Sequence, residues 1–84
     1  MARLGTVVQR WTRTHTRAGG GSVRTDIALN KDGKLLRKIS WLNEADRLDH
    51  TGGWKLVGAR HINDDQIPAI HRRLTEKGFI EVEV

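Results

Sequence analysis

Residues 5–17 read GTVVQRWTRTHTR, rich in Thr, Val and Trp and free of breakers, which predicts a β-strand. Val7, Gln9, Trp11, Arg13 and His15 share one face, and Val8, Arg10, Thr12, Thr14 and Thr16 share the other. The strand is apolar at its start and wholly polar at its end. AGGGS follows over 18–22 and predicts a flexible hairpin tip, since glycine reaches positive φ without steric cost. Next, VRTDIALNKDGKLLRKISW predicts a second hairpin turning at Asn30-Lys31-Asp32-Gly33, where Asn, Asp and Gly accept the backbone angles of a tight turn. A helix beginning at Lys34 competes, with Leu35, Ile39 and Leu42 at helical spacing. The preferred reading is strand to about Ile39, then helix.

That helix is expected over 41–50. Trp41 or Leu42, Ala45 and Leu48 form its apolar stripe, Ser40 or Asn43 caps it, and Glu44 and Asp46 suit its positive end. HTGG closes it with glycines able to take a left-handed cap. WKLVGARHI then alternates and predicts a mostly buried strand, with Trp54 in the core. NDDQIPAIHRRLTEKGF predicts a second helix. Asn63 and Gln66 match a capping box, although Pro68, tolerated only in a first turn, favours Asp64 or Asp65 as the cap. Ile67, Ile70 and Leu74 form its stripe, and Gly78 its C-cap. FIEVEV closes the chain as a strand with one acidic and one aliphatic face. The expected order is β-β-β-α-β-α-β: a single small α+β domain over 1–84, a mainly antiparallel sheet with two helices on one face.

With 84 residues, the chain buries only about 60% of the surface its unfolded form exposes. Its stability is therefore expected to be modest unless a partner or a second copy adds burial. No run approaches the roughly 20 apolar residues that cross a bilayer, and the N-terminus lacks the apolar core of a secretory signal. The absence of cysteine removes disulfides, thiolate metal sites and thiol nucleophiles. The expectation is an intracellular, cytoplasmic protein without membrane contact or cofactor. The net charge of +5 hides an asymmetry: residues 1–38 hold nine bases and two acids, residues 39–84 six bases and eight acids. Such a split suggests an anionic partner for the basic half, or two ends that complement each other within one copy or between two.

The basic stretch suggests the binding site. Arg10, Trp11, Arg13, His15, Arg17 and Arg24 surround a glycine tip with no acid from Arg10 to Arg24. Arginines that neutralise phosphates release counterions, a two-stranded ribbon can enter a groove, and Trp11 could stack on a base. The plainer alternative is a solvated hairpin end whose arginines discourage edge-to-edge pairing. His15, His50, His61 and His71 are too widely spaced for a known ligand pattern, so no metal site is expected. Asp64-Asp65 is explained by a helix N-terminus. His50 with Asp46 or Asp49, or His61 with Asp64, could form dyads by proximity. The alternation of WKLVGARHIN and the acids at the start of the supposed recognition helix argue against a winged-helix reading, which stays a minor alternative.

LNEADRLDHTGGWKLVGA, residues 42–59, resembles the helix–Gly–Trp–x–Leu–Val segment of small uncharacterised bacterial and phage domains, although its helix is poorer in leucine than that pattern. The resemblance covers under a quarter of the chain and implies a helix-to-strand turn. Those domains have no assigned function. The expected role is a non-catalytic binding or adaptor protein, of the phage accessory or host-modulating kind, that meets an acidic protein surface through its basic hairpin. A homodimer is compatible with FIEVEV as an edge strand. Two alternatives are a DNA- or RNA-binding protein using residues 10–24, and a toxin-like ribonuclease.

Overall fold

Three long strands carry the fold: β1 (Val7–Thr16), β2 (Ser22–Asn30) and β3 (Leu35–Leu42) form an antiparallel meander. The computed structural model describes residues 4–45, 47–58 and 60–84. Asp46 and Ala59, placed above in the first helix and the strand after it, lie outside those residues, as does Arg3 of the basic half. Two short strands, β4 (Leu48–Thr51) and β5 (Lys55–Leu56), both pair with the outer edge of β3, and β6 (Ile80–Val82) pairs with β1. The sheet order is β4-β3-β2-β1-β6 with β5 beside β3, antiparallel throughout. Among the described residues there is one α-helix, α1 (Ile67–Glu76).

The expected order β-β-β-α-β-α-β is therefore corrected: the first helix does not form. β3 continues through Trp41 to Leu42, and the chain turns at Asn43 and returns as β4. The Asn43 side chain drives the turn. Its Oδ1 accepts the backbone N–H of Ala45 (2.9 Å) and of Arg47 (3.1 Å), while Asn43 N–H donates to Arg47 O (2.9 Å). An asparagine that satisfies its neighbours' amides locally competes with helix formation, and here it wins. Cross-strand pairs fix the hairpin: Trp41 lies against His50 with ring centroids 5.1 Å apart, and the Ser40 and Thr51 hydroxyls meet at 3.1 Å. Ser40 is thus a strand residue, not a cap.

Among the described residues, the expected strand over 54–62 shrinks to Lys55 and Leu56, both exposed at the sheet edge. Beyond them the described residues keep single contacts with β3 and its turn, Val57 N–H to Leu35 O (2.8 Å) and Ile62 N–H to Gly33 O (2.7 Å), and form no continuous ladder. Trp54 is half-buried, with the Lys38 ammonium 5.0 Å above its ring, and does not join the core. The two hairpin turns of the meander form where expected. Asn30 is buried; its Oδ1 accepts from Asp32 and Lys34 N–H, and its Nδ2 donates to Leu4 O. At the other tip, Arg17 N–H donates to Gly21 O (3.0 Å), with Gly19, Gly20 and Gly21 at φ of 88°, 105° and 76°. L side chains rarely adopt those angles, which is why three glycines stand there.

α1 forms as expected, with one adjustment. Asn63 opens a 3-10 turn (Asp64–Gln66) and its N–H is met by the Gln66 side chain (2.9 Å), completing the capping box. Neither Asp64 nor Asp65 is the cap. The turn pushes Pro68 into the first turn of α1, where its missing N–H costs no hydrogen bond. Ile67, Ile70 and Leu74 pack on the sheet, with Leu35 and Ile62, around a core of Trp11, Ile27, Leu29 and Phe79. The register explains that set: Trp11 lies beside Ile27, Gln9 beside Leu29, and Leu29 beside Leu35, all on one face. A bulge between Val7 and Gln9 takes Val7 out of the simple alternation. Further along the same face, Val23, Ile39 and Trp41 lie outside the cluster and are only partly buried.

A cationic groove as the candidate functional site

Strand alternation divides the basic stretch between two faces. Trp11 points into the core and is 0% exposed; its indole Nε1–H donates to His71 Nδ1 at 3.1 Å. No ring face is left for a base to stack on. Arg10 and Arg24 lie on the opposite face and close over Asp26, with contacts of 3.7 Å and 3.3 Å to its two carboxylate oxygens. The Asp26 side chain is only 4% exposed, while the arginines keep about a third and two fifths of their surface, at 36% and 41%. These contacts rest on charge: Arg24 Nε and Asp26 Oδ2 lack hydrogen-bond alignment. Arg17 leans from the tip and donates Nη2–H to Leu42 O (3.2 Å). His15 is exposed near the tip, across from Val23. The six residues therefore do not form one surface.

Arg13 instead belongs to a groove that the sequence does not announce. Between the C-terminal half of α1 and the sheet lies an open depression of about 420 Å³. Its floor is aliphatic, with Ile39 on the sheet, Val57 beside it, and Ile70 and Leu74 on the helix. Four cations line it, each from a different place in the fold: Arg13 on β1, Arg37 on β3, Arg73 on α1 and Lys77 at the helix C-cap. No acid lines it. Among the described residues none of the four forms an ion pair.

Arg13 is the committed member of the four. Its Nη1–H donates to Lys77 O at 2.9 Å, and its guanidinium sits 4.6 Å from the centroid of the Phe79 ring. It ties the end of α1 to β1 and covers the Phe79 ring face. Arg37, Arg73 and Lys77 are exposed and have no such partner among the described residues. Arg73 and Lys77 stand four apart on one helical face, a pairing visible in the sequence. Arg37 joins them because strand alternation sets it opposite Leu36 and Lys38. Only the fold shows that these positions meet Arg13.

The histidines are scattered. His50 lies on Trp41, and His61 Nδ1 meets Asn63 Oδ1 at 3.1 Å. His71 holds the Trp11 indole and also lies 3.6 Å from Glu81 through the same Nδ1. One nitrogen cannot accept from an indole and be a protonated partner of Glu81. The shorter contact, to a buried donor, places the proton on Nε2, and Glu81 then forms no ion pair. Among the described residues no three His, Asp or Glu side chains gather as metal ligands, and no helix is long and apolar enough to cross a membrane. The Asp46–His50 dyad considered above involves a residue outside those described. No protein-family model, curated protein or solved structure matches the chain.

Proposed function

We propose that the chain is a small non-catalytic binding module that engages an acidic protein partner through the groove beside Arg13. One observation carries this reading: four cations from three elements, β1, β3 and α1 with its C-cap, converge on an aliphatic depression with no acid among the described residues of its lining. Like charges brought together repel, so an unpaired cluster of this kind costs stability unless an anion offsets it. Lys and Arg are also among the side chains that most need solvent or a partner. A phage accessory or host-modulating role, suggested by the resemblance of residues 42–59, remains part of the proposal without supporting it; the helix that the resemblance implied is absent.

A second reading has its own observation. On the opposite face, Arg10 and Arg24 share the single charge of Asp26 and keep part of their surface exposed. That face could meet phosphates. Salt and ligand together separate the readings. Binding through several phosphates falls by orders of magnitude between roughly 50 and 200 mM salt. Titration of a glutamate-rich polypeptide and of single- and double-stranded DNA across that range is the test. The proposal expects the polypeptide to bind and its affinity to drop in an Arg37→Gln/Arg73→Gln variant. Nucleic-acid binding without polypeptide binding would replace it with the second reading.

A further inference from the structure

We infer that the groove is built for a peptide segment in which one aliphatic side chain is flanked by two acidic ones. This deepens the proposed function and rests on it. The floor and the rim ask for different chemistry from the same ligand. Ile39, Ile70 and Leu74 are only partly buried where they line the depression, so an aliphatic side chain placed there removes apolar surface on both partners from water. Above them, Arg37 rises from the sheet wall and Arg73 from the helix wall, both exposed and unpaired among the described residues. Two carboxylates, one on each side of the aliphatic anchor, answer both walls. Guanidinium groups suit this task because their planar fork matches a carboxylate with two parallel hydrogen bonds.

The lining argues against a nucleic acid in this groove. Bases bind single-strand sites by stacking on open aromatic faces. Among the described residues the only aromatic side chain in the lining is Phe79, which is buried and whose face is covered by the Arg13 guanidinium at 4.6 Å. Arg13 is therefore a positioning residue. Through Lys77 O and Phe79 it fixes the end of α1, and with it the distance between the two walls.

The test uses blocked synthetic peptides with Glu-Leu-Glu, Gln-Leu-Gln or Glu-Gly-Glu between glycines, titrated into the full chain and followed residue by residue by NMR. Glu-Leu-Glu is expected to bind and to shift the amides of Ile39, Ile70 and Leu74. Loss of either the leucine or the carboxylates is expected to weaken binding by about tenfold, the scale of one buried aliphatic side chain or a pair of partly screened ion pairs. Arg37→Gln/Arg73→Gln should weaken binding by a similar factor, with the fold intact. Arg13→Gln should weaken binding less and also shift the resonances around Lys77 and Phe79 in the free protein, which a contact role would not do. If Glu-Gly-Glu binds the groove as well as Glu-Leu-Glu, the inference fails and the acidic-partner reading survives; if the shifts map to Arg10 and Arg24 instead, both fail. If no acidic peptide binds anywhere, both fail. Displacement of the peptide by oligothymidine, or concentration-dependent dimers abolished by Arg37→Gln/Arg73→Gln, would reassign the groove to a nucleic acid or to a second copy.

Discussion

The indole of Trp11 is the most demanding polar group in the core. It is fully buried, and its N–H has one acceptor, His71 Nδ1. Replacing His71 with Leu fills a similar volume but strands that donor, which costs about 1–3 kcal/mol. His71→Gln keeps an acceptor in reach and should lose clearly less. Urea denaturation of the two variants checks the difference, and equal losses would show that the hydrogen bond contributes nothing. Asp26 poses the converse case. Asp26→Ala leaves Arg10 and Arg24 facing each other over a vacated buried site, and a loss of about 1–3 kcal/mol is expected by the same measurement, after discounting for the exposure of the arginines. Alternation alone made Trp11 a sheet residue. Its partner was not legible, because His71 lies 60 positions away on an element whose docking angle no local pattern encodes.

Two asparagine turns show where reading by element succeeds and where it fails. NKDG carries an unmistakable glycine, and the β2–β3 hairpin forms around it. LNEADRL carries none, and its Leu42, Ala45 and Leu48 fall at helical spacing; yet it closes the β3–β4 hairpin through Asn43 Oδ1. The helical stripe was real in spacing but had nothing to bury against, since β4 is exposed throughout. Extending β3 offers Trp41 a cross-strand ring at 5.1 Å instead. The two turns should differ in weight. Asn30 is 3% exposed and uses both ends of its amide, so Asn30→Ala removes three part-buried hydrogen bonds at once. A loss of about 2–3 kcal/mol is expected. Asn43 is exposed, water can replace it, and Asn43→Ala should cost at most about 1 kcal/mol globally. Hydrogen exchange should show that second effect confined to the amides of β4, and loss of protection across the meander would contradict it.

Taken whole, the molecule separates its stabilising charges from its unpaired ones. Arg10 and Arg24 have Asp26, and Arg13 has Lys77 O and Phe79. Arg37, Arg73 and Lys77 share a groove and no partner among the described residues. Composition had already shown a basic half and an acidic half; it could not show which bases are neutralised, because Asp26 shares a strand face with Arg24 and meets Arg10 only through sheet register. Stability should therefore respond in opposite directions at the two sites. Removing charge at the Asp26 cluster destabilises. Removing it at the groove, by Arg37→Gln/Arg73→Gln, relieves repulsion among exposed cations and should raise the melting temperature slightly at low ionic strength. Exposed charges are screened beyond about 3 Å at 1 M salt and only beyond about 30 Å at 0.01 M, so the gain should vanish as salt rises. Surface substitutions stay within about 0.5 kcal/mol, which bounds the effect. Residues kept for binding at some cost in stability give this sign. If the double variant melts lower than the parent chain at both salt concentrations, the groove cations stabilise the fold, and their convergence needs no ligand to account for it.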